Sequence, residues 1–127
     1  MKTRDLTSLL TFAEGGSHRE TLVATDRLWS EVICLDAGQE TGSMSDANAD
    51  ALIVVLAGEV ILQVDKRRTR MKQWETVALT AGSKIHVKSA SADPSVVLVV
   101  TAPPPSGLQE ARARDDVAGV ADDVSDD

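Results

Sequence analysis

Chemistry-bearing side chains are few in this chain and mostly stand alone. His18 and His86 are the two histidines. A neutral imidazole can ligate a metal or move a proton near pH 7, but a metal centre needs three or four such donors converging. Each therefore reads first as a solvated surface histidine. Cys34 is the one cysteine, inside the apolar run Val32-Ile33-Cys34-Leu35. No internal disulfide or cysteine-based zinc cluster can form. A thiol nucleophile would need a nearby base, so the residue reads as a buried, inert thiol. Lys66, Arg67, Arg68, Arg70 and Lys72 place five cations in seven residues. Such a run can bind phosphate or nucleic acid. With no aromatic residue interleaved for base stacking, it reads first as a solvated hairpin loop. Acid–base chemistry would have to come from Asp46, Glu59, Glu75 or His86. The chain carries no Ser-His-Asp order, no glycine-rich phosphate loop, no paired-carboxylate motif and no calcium loop.

These residues must be positioned by one domain, because 127 residues suffice for one core but not two. Aromatic content is 2%, namely Phe12, Trp29 and Trp74, so the core must be built from Val, Leu, Ile and Ala. The net charge of −7 is uneven: residues 108–127 hold seven acids and two arginines, and the rest carries only −2. This distribution argues against nucleic-acid and anionic-membrane partners. The longest apolar run, residues 51–57, is far too short to span a bilayer, and the N-terminus lacks a charged-then-apolar signal pattern. A cytoplasmic protein is expected.

Turn residues divide the chain into short β-type segments. Strands are expected at residues 21–25, 28–35, 51–57, 60–65, 76–79, 84–88 and 96–101, with a polar loop over 39–50. Leu6, Leu9 and Leu10 form a short helical face or an extended arm before Gly15-Gly16. Residues 51–57 and 96–100 are apolar at both parities, which predicts cover on both faces. Residues 84–88 alternate, so Ile85 and Val87 point opposite to Lys84, His86 and Lys88. Pro103-Pro104-Pro105 ends the sheet-forming part. Residues 1–105 are thus a β-barrel domain with an N-terminal arm. Residues 106–127 form an acidic tail, disordered or a short helix, with Val117, Val120 and Val124 on one helical face. The pattern indicates an all-β sandwich or barrel.

Two glycine-anchored stretches sharpen that expectation. One runs from Gly38 through Met44, Asp46 and Ala51 to Gly58; the other runs from Trp74 through Thr80 and Gly82 to Ile85. Their spacing resembles the paired motifs of the cupin family, small barrels that usually hold a metal through three histidines and a glutamate. The resemblance covers roughly residues 20–102 and implies a cupin-type double-stranded β-helix, or jelly-roll, barrel. It also implies that the four ligand positions fall on Met44, Asp46, Ala51 and Ile85. Methionine, alanine and isoleucine cannot replace imidazole and carboxylate for a hard or borderline divalent ion. His86 misses the last ligand position by one residue, which turns it to the opposite face.

No cofactor and no metal are therefore expected. Met44, Asp46, Ala51, Ile53, Val55, Trp74 and Ile85 are the candidate pocket residues. They either fill the barrel as core or wall an apolar cavity for a small molecule, with Asp46 or Trp74 at its mouth. Trp74 stands where the family motif has glycine, so it either plugs one end of the barrel or walls a ligand site. Members of the family commonly dimerise, which makes a homodimer the expected assembly. The reading is a non-catalytic, metal-free binding or interaction module. Its alternatives are an enzyme with atypical site residues, or an assembly protein acting through its acidic tail.

Overall fold

The computed structural model describes residues 1–105, and the helical potential expected over 108–124 lies outside them. A short 3-10 turn, Leu6–Leu9, is capped by the Asp5 carboxylate, which accepts from the Thr7 N–H. Eight strands follow: β1 (His18–Ala24), β2 (Trp29–Leu35), β3 (Asp50–Ala57), β4 (Glu59–Val64), β5 (Arg67–Lys72), β6 (Thr76–Leu79), β7 (Ile85–Ser89) and β8 (Ser95–Ala102). They form two antiparallel sheets, in the orders β1-β2-β8-β3-β6 and β5-β4-β7. The architecture is the all-β double-stranded barrel that the glycine spacing implied. None of the helices among the described residues is long and apolar enough to cross a membrane.

Period-two alternation turns one face of each strand inward. Ile33 and Leu35 of β2, Ile53 and Val55 of β3, Val60 and Leu62 of β4, Val87 of β7 and Val97 of β8 meet between the sheets, each 0–1% exposed. Burying one such aliphatic side chain contributes roughly 1.5–3 kcal/mol. This core is aliphatic, as the shortage of aromatic residues required.

Three segments differ from the sequence reading. The basic run is not a loop: Arg67–Lys72 is strand β5, paired with β4 from Glu59↔Lys72 to Val64↔Arg67. Buried Met71 anchors it to the core, so a single apolar residue at the right parity outweighs the charge run. Residues 39–45 are not simply loop either. Isolated bridges Glu40↔Lys88 and Met44↔Ile85 hold them against β7. The strand covered on both faces at every position is β2, whereas β3 leaves Leu52 39% exposed. On the outer face of β2, Phe12 of the N-terminal segment and Leu22 of β1 pack on the cluster of Val32, Cys34 and Val96.

Candidate functional site

At one end of the barrel the two sheets leave a cavity of about 380 Å³. Alternation and register place its walls. Trp29 of β2 stands opposite Thr101 of β8, which stands opposite Ala51 of β3. In the next row Glu31, Val99 and Ile53 are aligned in the same way. All six line the cavity, with Arg19 of β1 beside them. The other walls come from Ser43, Met44, Ser45, Asp46 and Ala49 of the 39–50 segment, from Thr80, Ser83 and Ile85, and from Pro105.

Backbone bonds pin these segments together. Met44 and Ile85 exchange N–H···O bonds of 2.7 Å in both directions. The Gly82 N–H donates to the Asp46 carbonyl at 2.8 Å, and the Ala81 N–H donates to Asp50 Oδ1 at 2.8 Å. The Asp46 side chain is partly committed, since its Oδ1 accepts from the Asn48 N–H at 2.8 Å.

One half of the cavity is apolar and the other is polar. Met44, Ala51, Ile53, Ile85 and Val99 make the apolar half. In the polar half, the Glu31 side chain is only 5% exposed and is held by Arg19. Arg19 Nε–H donates to Oε2 at 3.1 Å, and Nη2 donates to Oε1. Burial pushes the Glu31 carboxyl above its ordinary 4.5, and the hydrogen bonds and charge of Arg19 pull it partway back. Two further wall residues, Trp29 and Thr101, keep buried polar atoms, Nε1 and Oγ1, without a hydrogen-bond partner among the described residues. An unsatisfied buried polar group costs about 1–3 kcal/mol, so two in one wall call for a reason.

All four positions at which the family places metal ligands, Met44, Asp46, Ala51 and Ile85, line this one cavity, so the scaffold brings them together. Their chemistry does not fit a divalent cation. A thioether, a methyl and a sec-butyl group surround a single carboxylate. No group of three or more His, Cys, Asp or Glu side chains that could hold a metal occurs among the described residues.

The remaining candidates lie elsewhere. Ile53 lines the cavity, but Val55 sits one row deeper, 0% exposed in the core. Trp74 neither plugs the barrel nor walls the cavity: it stands at the β5–β6 turn with φ 73°, 74% exposed. The family's glycine at this position matches that backbone conformation, which explains the spacing without a ligand role. Glu59 pairs with Arg70 at 2.8 Å, and Glu75 accepts from the Lys72 N–H at 2.7 Å. His86 Nε2 lies 3.6 Å from Glu40, and His18 Nε2 lies 3.2 Å from Glu20. Cys34 is fully buried, and burial raises its thiol pKa.

Sequence reasoning missed Arg19, Trp29, Glu31 and Thr101. The one available signal was Glu31 at the same strand parity as Ile33 and Leu35, a charge on an otherwise buried face.

No protein-family model and no curated protein matches the chain. Solved structures do match. TT1209 from Thermus thermophilus is 25% identical with a TM-score of 0.76, over 81% of this chain and 98% of that one. A double-stranded β-helix protein from Klebsiella pneumoniae is 17% identical with a TM-score of 0.76, over 81% and 90%. A cupin-superfamily protein from Desulfitobacterium hafniense is 17% identical with a TM-score of 0.67, over 80% and 90%.

Proposed function

We propose that this chain, a cupin by fold, is a metal-free and non-catalytic module of the cytoplasm that binds a small organic molecule in its barrel. The observation that carries the reading is the two-sided cavity. Its apolar half occupies three of the family's four metal-ligand positions, and its polar half holds Arg19–Glu31 and the Trp29 and Thr101 atoms that have no partner among the described residues. A volume of about 380 Å³ falls in the usual range for small-molecule sites, where apolar walls and a few polar groups fix orientation.

Native mass spectrometry and elemental analysis of protein purified without chelators test both halves of the proposal. The expected result is a small organic adduct and no transition metal, with the adduct lost in Ala51→Phe, which fills the cavity. A stoichiometric transition metal, or an adduct indifferent to Ala51→Phe, would overturn the reading.

A second reading, metal-free acid–base catalysis, has one observation in its favour. Glu31 is a buried carboxyl with a raised pKa facing the cavity, as tuned acids and bases do. Bidentate engagement by Arg19 suits a structural pair better than a free proton carrier.

The proposed module is a homodimer. Leu52 is 39% exposed on the outer face of the five-stranded sheet, and Val54, Leu98 and Val100 beside it are only partly covered. A contiguous apolar sheet face is the kind of surface that self-association buries. Sedimentation should show a dimer that Leu52→Lys weakens. A monomer at high concentration would contradict it.

A further inference from the structure

The three-stranded sheet presents a cationic outer face. Inward-pointing Val60, Leu62, Met71, Ile85 and Val87 leave the opposite parity outside. The outer rows are Arg70–Ile61–Lys88 and Arg68–Gln63–His86, with Lys72 opposite Glu59. Arg70 is paired with Glu59. Arg68, Lys72 and Lys88 have no carboxylate within ion-pair distance among the described residues. Arg68 donates to Gln63 Oε1 at 3.2 Å, and Glu40 stands opposite Lys88 beside His86. With Arg68, Lys72 and Lys88 outside any ion pair among the described residues, the surface around half-buried Ile61 keeps a cationic excess that attracts a flexible or extended polyanion.

We propose that the acidic segment 108–127 of the same chain docks on this face and shields it from outside polyanions. Charge complementarity is the first argument: the segment carries −5, mostly in the pairs Asp115-Asp116, Asp122-Asp123 and Asp126-Asp127. Among these acids stand Val117, Val120 and Val124, which can lie against Ile61. Reach is the second. Pro105 and Ser83 line the same cavity. Lys84, next to Ser83, exchanges bonds of 2.8 and 3.0 Å with Asp65 at the start of the β4–β5 turn. The described chain therefore ends at the barrel end where the basic strand begins. The 22 residues beyond it can span about 70 Å when extended, roughly twice the width of a domain this size.

Trypsin cleavage after Arg112 and Arg114, followed by mass spectrometry on the full-length chain, tests the docking. Three exposed ion pairs together shift a docking equilibrium by about tenfold. Cleavage should therefore be about tenfold slower in the wild-type chain than in the Arg68→Glu, Lys72→Glu, Lys88→Glu variant at about 0.01 M salt. At about 1 M salt, where the screening length is about 3 Å, the two rates should converge. Equal rates at low salt overturn the proposal. Protection that grows with protein concentration also overturns it, because the occupied face then belongs to another copy. A second full-length variant leaves the barrel untouched: Asp→Asn at 115, 116, 122, 123, 126 and 127. It should be retained longer on heparin at low salt, and unchanged retention counts against docking.

Discussion

Gly58→Ala is expected to cost about 4 kcal/mol, combining a left-handed backbone penalty with overpacking. Gly38→Ala and Gly82→Ala should each cost only about 1–2 kcal/mol, the backbone part alone. All three glycines sit in the left-handed region, with φ of 76°, 77° and 87° respectively. What separates them is space. A Cβ on Gly58 would stand 2.4 Å from Ser95 Oγ and 2.8 Å from both the Pro94 carbonyl oxygen and Ser95 Cα. Nothing lies within 4 Å at Gly38 or Gly82.

Ser95 cannot easily yield. It is fully buried, its hydroxyl donates to the Glu59 carbonyl at 3.1 Å, and it lies 2.9 Å from Ser89 Oγ. The β3-to-β4 turn is thus locked to the start of β8. A domain of this size has roughly 5–15 kcal/mol of total stability, so Gly58→Ala removes a large share of it. Urea unfolding of the three variants measures the ranking, and equal losses would mean that the close approach to Ser95 does not matter.

Arg19→Met is expected to destabilise the protein by about 2 kcal/mol at neutral pH. Removing one member of a fully buried pair costs about 3–5 kcal/mol; Arg19 is 39% exposed, so water screens part of this. The methionine keeps most of the stem's apolar contact, so the loss reports the charge left behind on Glu31. Arg19→Met combined with Glu31→Gln should recover most of the stability, since no buried charge is then unpaired.

Titration gives a second readout of the same pair. Glu31 has a folded pKa above its ordinary 4.5, because burial outweighs the help from Arg19. The folded state therefore holds this proton more tightly than the unfolded state. Its contribution to stability is fully present below the unfolded pKa and is lost as pH rises through the folded value. Unfolding midpoints measured from about pH 4 to about pH 7 should show this loss in the wild type and a deeper one in Arg19→Met. Glu31→Gln should lack it. A slope unchanged by Glu31→Gln would assign it to another group.

Local pattern carried the fold a long way. Short β-rich runs separated by turn residues required an all-β barrel, and the spacing of Gly38, Gly58 and Gly82 marked turns that do adopt positive φ. Period-two alternation puts Ile85 inside and His86 outside, and the folded positions of both agree. The lack of imidazole and carboxylate at Met44, Ala51 and Ile85 is a matter of composition, legible wherever those residues stand.

Tertiary structure decided the rest. Thr101 lies far in sequence from Arg19, Trp29 and Glu31, and antiparallel pairing of β8 with β2 and of β2 with β1 brings all four to one wall. The basic run reads as a loop by charge, yet it is strand β5, because Met71 gains more by entering the core than the flanking cations lose by lying on an edge. Trp74 reads as a pocket residue by motif position, but the positive φ of its turn leaves it on the surface. Sequence by itself determined the alternation, the turns and which donors are missing, because those depend on one residue and its neighbours. Which side chains share the cavity depends on strand pairing across the whole barrel, and only the folded chain sets that register.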